Sequence, residues 1–375
     1  MLKQGLSDLT VVIPTISRPK FILRQFRYWR DSDAQVVILD GAAKPIQVPP
    51  ELMSSNIRYV CTGTRFNERL TIAGSFVSTK YCALLCDDEF FTYSGLRAAI
   101  ATLESDSSII GCVGRSLYFF VDQGRFLLKD AYREWRPFSI EANSHITRLD
   151  EDLPPNKTHK AQFAVMRSAE WKTMYETSYR RYFSSGYVYE RLLNLQRTIS
   201  GRTEILDDLL WFRSMENPPI SNESVPRLGN RVYIQWARDQ EFSSEVTEYR
   251  KIARNLLLDG GLTESDATRF EERFFDVGLN QTLKRKSKVT KRFRDWYRQK
   301  LLVWSPKWFR LFVKRHLPNR LLEFSGWQGY GLDEMCDSLT ARGTRFDREE
   351  IELIRELSLA TARDLTADTN QSNAQ

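Results

Sequence analysis

The chain contains no run of eighteen or more uncharged apolar residues, so nothing in it reads as a membrane-spanning helix. Its first eight residues lack the apolar core of a secretory signal, and the expected location is the cytoplasm. Histidine is scarce, at three residues in 375. The five cysteines are an odd number, and four of them fall inside or beside apolar runs, the distribution of small buried side chains in a reducing compartment. Cys82 and Cys86 stand four apart on a predicted strand, on one face but too far along it for a single metal, so a zinc centre is not expected. No glycine-rich phosphate loop of either common type follows the first predicted strand, which weighs against a Walker-type ATPase and a dinucleotide enzyme.

What is present is organised around residues 81–91, where the apolar run Tyr81-Cys82-Ala83-Leu84-Leu85-Cys86 empties into Asp87-Asp88-Glu89. Buried parallel strands read as short apolar runs, and an open α/β sheet binds ligands in the crevice beyond the carboxyl ends of its strands. Adjacent carboxylates in a dry site repel one another unless a cation compensates them. Hard oxygen ligands in a short cluster suit a divalent Mn2+ or Mg2+, with Asp88, Glu89 and Asp87 as the candidate ligands. A solvated acidic turn at a strand end is the plainer alternative.

At 375 residues, 42% apolar and 27% charged, the chain is long enough for two globular domains. Strands are predicted at 9–14, 36–39 and 57–60, with a helix after Ser17 that opens on Pro19 and has Ser17 as its cap. Helical spacing over 65–79 leads into the acid-ended strand, and a helix at 93–104 precedes strands at 109–113 and 117–121. This alternation predicts an α/β fold, a Rossmann-like, mostly parallel sheet with helices on both faces. In such a sheet Thr15, Ser17, Arg18, Asp40 and the acids at 87–89 all follow strands and can converge on one rim, where helix N-terminal amides favour an anion. An anion-binding turn, an isolated Asp and an acid cluster on one rim describe a nucleotide diphosphate site.

Val11-Val12-Ile13-Pro14-Thr15, Val37-Ile38-Leu39-Asp40-Gly41, Arg69 and then Leu84-Leu85-Cys86-Asp87-Asp88-Glu89, in that order and spacing, resemble the inverting family 2 glycosyltransferases of GT-A fold. The resemblance covers roughly residues 8–215. It implies that Thr15 and Asp40 hold the nucleoside of a nucleotide-sugar donor and that Asp87, Asp88 and Glu89 contact ribose and metal. It also implies that Arg69 meets the diphosphate. Glu89 departs from the Asp that ends the cluster in most members. The usual Asn and small residue ahead of the cluster are represented by Thr71 and Ala73.

An inverting transfer needs a carboxylate to take the proton from the acceptor hydroxyl. Residues 204–211 place Asp207 and Asp208 beside what reads as an apolar helix start, where Asp is also favourable simply as a cap. The family carries its base in an acidic pair just before a helix. By that match Asp208 is the candidate base and Asp207 the second. Residues 122–160 read as a polar, loop-rich flap or a plain surface insertion. His145 and His159 stand in that stretch, where a lone histidine is ordinarily exposed rather than a metal ligand.

The last third changes character. Residues 284–316 hold thirteen Lys or Arg against the single acid Asp295, whereas the whole chain is only +7, so the basic character belongs to this segment. It interleaves Phe293, Trp296, Tyr297, Trp304, Trp308, Phe309 and Phe312, the composition of a basic amphipathic helix in a membrane interface. Nucleic acid is the rival partner and is less favoured, because Trp and aliphatic side chains at helical spacing suit lipid better than bases. An ordinary helix with its basic face in water is the structural alternative. The expected organisation is a catalytic domain over 1–235, a helical region over 236–365 and a disordered tail over 366–375. The expected function is transfer of a sugar from a nucleotide-diphosphate donor to a saccharide or lipid-linked acceptor with inversion. A sugar nucleotidyltransferase and a non-catalytic membrane- or nucleic-acid-binding scaffold are the alternatives.

Overall fold

A computed structural model describes residues 3–131, 140–152, 161–216, 233–286 and 329–372. Its elements begin with β1 (Leu9–Thr15), α1 (Pro19–Trp29), β2 (Gln35–Asp40), β3 (Ile57–Cys61), α2 (Phe66–Ile72) and β4 (Tyr81–Leu84). They continue with β5 (Phe90–Phe91), α3 (Tyr93–Ser105), β6 (Ile109–Asp122), β7 (Arg125–Asp130), α4 (His145–Asp152), β8 (Val165–Arg167), α5 (Ser168–Tyr179), α6 (Gly186–Ser200) and β9 (Arg202–Ser214). The remainder is helical: α7 (Tyr233–Arg238), α8 (Ser243–Asp259), α9 (Glu264–Lys286), α10 (Leu332–Ala341) and α11 (Arg348–Ser372).

The strands form one mixed sheet in the order β3-β2-β1-β4-β8-β6-β9-β5, with β7 paired to β6. β3, β2, β1 and β4 are mutually parallel, β8 is antiparallel to both β4 and β6, and β6 and β9 run parallel to each other. The expected α/β sheet with helices on both faces is therefore present. Strand alternation divides its side chains between two cores. Leu9, Val11, Ile13, Val36, Ile38 and Ala83 pack on one face with α1, α3, α10 and α11, while Val12, Val37, Leu39, Cys82 and Leu84 pack on the other with α2 and α5 to α9. Every residue of β1 is buried, because both faces are covered. Beyond residue 235 the described helices join these two cores rather than building a third.

Several expectations differ from what is found. The separate strands expected at 109–113 and 117–121 are one strand, β6, bent by irregularities in its pairing with β9. The stretch over 122–130 is a hairpin, turned by Gln123 and Gly124 at φ of 50° and 73°. Residues 204–211 are not a helix start but the interior of β9. That strand lies between β6 and β5 under helices, so its apolar run carries neither strand alternation nor helical period cleanly. Helix α11 runs on through the expected disordered tail to Ser372, since residues 366–372 include no Gly or Pro to stop it. The basic segment 284–316 lies outside the described residues apart from the backbone of 284–286, and His159 lies outside them too. Among the described residues no helix is long and apolar enough to cross a membrane.

Candidate active site at the carboxyl rim of the sheet

Thr15 and Asp40 are register partners at the ends of β1 and β2, and β4 ends beside them in the acid turn. Asp40 is fully buried, and its carboxylate is spent locally. Oδ1 accepts from the N–H groups of Ser17 (3.3 Å) and Ala42 (2.9 Å), and Oδ2 from the Tyr59 hydroxyl (2.8 Å). It braces the two rim turns from beneath. Ser17 adopts φ 53° and does not cap α1, whose cap position is Arg18 with no side-chain bond. The Ser17 N–H has instead turned to Asp40.

Arg69 lies under the same rim, 1% exposed. Its Nη1 donates to the Thr64 carbonyl, while its Nε has no hydrogen-bond partner. Burial lowers the pKa of this guanidinium, and the carboxylates of Asp40, Glu68 and Asp87 pull the other way. Gly41 makes room for it: a Cβ at that position would stand 1.7 Å from Arg69 Nη1. A buried cation with an unused N–H at the rim is a donor for an anionic ligand.

The acid turn is gripped from α1. Gln25 Nε2 donates to the carbonyls of Asp87 (2.9 Å) and Glu89 (2.8 Å), and the Trp29 indole fixes the Gln25 amide at 2.9 Å. The fully buried Arg24 donates to the Asp88 carbonyl (2.7 Å) and to Glu216 Oε2 (2.9 Å) at the end of β9. These two were missed from sequence. The available signal was two polar side chains embedded in the apolar face of an amphipathic helix.

The three acids have different partners. Asp87 accepts from Thr15 Oγ1 (2.6 Å) and from Arg18 Nη1, and Arg18 Nη2 reaches Asp88 Oδ2 at 3.4 Å. Glu89 Oε2 accepts from the Trp211 indole at 2.8 Å. Burial pushes Asp87 up to about 6, with Arg18 opposing and Asp88 adding to the rise. Burial, reinforced by Asp88, pushes Glu89 up to about 8 against Arg213 and Trp211. Such shifts mark a site that gains from an added cation.

Cys86, Asp88 and Glu89 each bring one ligand atom within 4.8 Å of the others, and among the described residues theirs is the group that could hold a metal. Asp87 is not in this set, because its oxygens are turned to Thr15 and Arg18. Cys86, expected to be an inert strand thiol, sits past the strand end inside the cluster, with burial raising its pKa so that it stays a thiol. Two hard carboxylate donors in a dry acidic turn fit a divalent cation.

Asp207 and Asp208 lie inside β9, three to four residues before Trp211, or roughly 10–13 Å back along the strand. They are paired elsewhere. Asp208 takes a two-pronged bond from Arg345 (3.0 and 2.6 Å), and Asp207 takes Arg115 at 2.8 Å. Outside the turn, Glu216 shares Arg24 with the Asp88 carbonyl, and a further acid is Glu190 on α6. Gln162 donates to it at 3.3 Å, and the adjoining Phe163 stacks on Trp211 with centroids 4.1 Å apart. His145 opens α4, which follows the bridge between Ile140 and Thr203 at the start of β9, the strand end remote from Trp211. A cavity of about 300 Å³ lined by Arg181, Tyr182, Phe183, Ser244, Glu245 and Glu248 includes none of the acid-turn residues.

The chain matches no protein-family model and no curated protein. It is similar to solved structures of S. aureus TarS. The structure of TarS 1–349 in complex with UDP-GlcNAc is 12% identical, with a TM-score of 0.48, over 95% of this chain and 92% of that one. TarS 1–349 in complex with UDP is 15% identical, with a TM-score of 0.45, over 77% of each chain. A further TarS structure is 13% identical, with a TM-score of 0.43, over 93% of this chain and 54% of that one. At these values the likeness is one of general architecture alone.

Proposed function

We propose that the chain is a glycosyltransferase of GT-A architecture that moves a sugar from a nucleotide-diphosphate donor to a saccharide or lipid-linked acceptor with inversion. The observation that carries this reading is the convergence, at the carboxyl ends of parallel strands, of the buried and incompletely bonded Arg69 with the acid cluster at 87–89. Cation and acids at one rim suit a diphosphate bound together with a divalent ion. Thr15 and Asp87 line the nucleoside side, and Asp88 and Glu89 would hold manganese or magnesium, which when bound neutralises charge on the departing diphosphate.

Glu190 takes the role of the acceptor base in this reading. What supports it is the bond from Gln162, the neighbour of the Phe163 whose ring stacks on Trp211, whereas Asp208 is tied to Arg345 partway along β9. Peripheral membrane contact through 284–316 is part of the same proposal. It rests on that segment's basic and aromatic composition, and deletion of the segment should abolish flotation with anionic liposomes.

The deciding experiment is a thermal-shift panel of nucleoside diphosphates and nucleotide sugars with and without manganese. A ligand at a hundred times its dissociation constant adds about 2.7 kcal/mol of stability. A manganese-dependent rise with one diphosphate, lost in Asp88→Ala, is the expected result. No rise with any member of the panel would return the chain to the scaffold reading. Release of nucleoside diphosphate rather than pyrophosphate separates the transferase from a nucleotidyltransferase.

A further inference from the structure

Arg18 closes the acid cluster from above. Its guanidinium spans two of the three acids, Nη1 on Asp87 Oδ1 and Nη2 on Asp88 Oδ2, and its side chain is 21% exposed where theirs are 4% and 13%. Its backbone setting is specific. Ser17 before it is held in the left-handed region, where non-glycine residues are uncommon, and is anchored to the buried Asp40. Pro19 after it restricts φ, and the guanidinium lies 4.2 Å from the Phe21 ring centroid.

One carboxylate belongs to two sets. Asp88 is a partner of Arg18 and also a member, with Cys86 and Glu89, of the group whose ligand atoms lie within 4.8 Å of one another. A divalent ion and the Arg18 guanidinium therefore compete for it. Among the described residues the neighbouring rim acids already accept from other donors, Glu89 from Trp211 and Asp40 from the rim amides, so a displaced guanidinium would share rather than gain a partner. A diphosphate supplies what is missing, because an arginine fork matches phosphate oxygens as well as carboxylate oxygens.

We propose that Arg18 is the resident counter-ion of the acid cluster and that its transfer from Asp87 and Asp88 to a donor diphosphate makes metal and nucleotide binding interdependent. This rests on the glycosyltransferase reading above. Metal alone must strip Arg18 from Asp88 with only shared acids to receive it, and diphosphate alone must draw Arg18 from acids that then repel one another. Together each ligand removes the other's cost. Such coupling is reciprocal between the two ligands.

The test uses the full chain and manganese binding followed by electron paramagnetic resonance, with uridine and guanosine diphosphates as probes. In the native protein one diphosphate should tighten manganese binding by about ten-fold or more, within the usual range of coupling between sites. Arg18→Gln should bind manganese alone about five-fold more tightly than the native chain and should lose most of the diphosphate effect, which is the same coupling removed. Arg18→Lys, which keeps the cation but cannot span both acids, should retain only part of the coupling. Manganese binding that is equal or weaker in Arg18→Gln than in the native chain overturns the exchange while leaving the metal site standing. No manganese binding by any form, with or without diphosphate, overturns the metal site and the exchange together. If Arg18→Gln does not melt cooperatively, the native chain still decides: manganese affinity unchanged by either diphosphate overturns the proposal.

Discussion

The indole N–H of Trp211 on β9 donates to Glu89 Oε2 at 2.8 Å, joining the strand on the far side of the sheet to the last acid of the cluster. Trp211→Phe keeps an aromatic ring against Phe163 and removes only the donor. It leaves Glu89 buried with a weaker set of partners, so urea unfolding should show a loss of about 1–3 kcal/mol. An unchanged midpoint would mean that the bond contributes nothing to the turn.

Gly41 and Arg69 form a second linked pair. Alanine at 41 would place its Cβ 1.7 Å from Arg69 Nη1 and 2.8 Å from the Thr64 carbonyl, so the guanidinium must leave. Gly41→Ala and Arg69→Ala are each expected to abolish the thermal shift caused by the diphosphate, and the double variant should be no worse than either. Contacting residues in one network combine non-additively. A further loss in the double variant would show that Gly41 acts on its own.

The acceptor base is tested by isosteric amides. Glu190→Gln should lower kcat by about 10²–10⁴-fold, the usual contribution of general-base catalysis, with little change in donor binding. Asp208→Asn disturbs the Arg345 pair and should show mainly as lower stability, with kcat within a few-fold of native. The reverse pattern would restore Asp208 to the role its neighbours in sequence suggested.

Glu350 supplies the pH prediction. It stands in the first turn of α11, three residues after Asp347. In the fold it accepts the N–H and the hydroxyl of Ser94, both at 2.8 Å, and so caps α3, 256 residues away. Burial pushes its carboxyl up to about 7 from an ordinary 4.5, with the Ser94 bonds and Arg97 opposing. The folded chain then holds this proton more tightly than the unfolded one. Stability from this group falls as pH rises from about 4.5 to 7 and is level above that, by on the order of 3 kcal/mol at most. Glu350→Gln removes this slope, so the Tm advantage of the variant over native should grow between pH 5 and 8. Parallel Tm curves would contradict it.

Much of the rim was legible in the residues themselves. β1, β2 and β4 are short, mostly apolar runs, with Thr15 and Asp40 ending the first two and Asp87 two residues beyond Leu85 after the third, and a parallel sheet covered on both faces leaves that signature for each strand separately. The acid turn after β4 was legible for the same reason: chemistry and position lie within one local stretch. β9 was not, because an interior strand with pairing irregularities keeps an apolar run but loses its period, and its two acids then read as a helix cap.

The sequence alone therefore determined which strands end in polar groups at the rim: Thr15 on β1, Asp40 on β2 and 87–89 beyond β4 are each set by a local pattern. Tertiary structure decided the partners. It turned Asp40 inward, paired Asp208 with Arg345, stacked Phe163 on Trp211 and set Arg18 across Asp87 and Asp88. The physical reason is range. Apolar periodicity is a property of neighbours along the chain, whereas the partners of the buried carboxylates are settled between residues 69 to 137 positions apart, in the Arg18–Asp87 and Arg345–Asp208 bonds, once packing has taken the acids out of water.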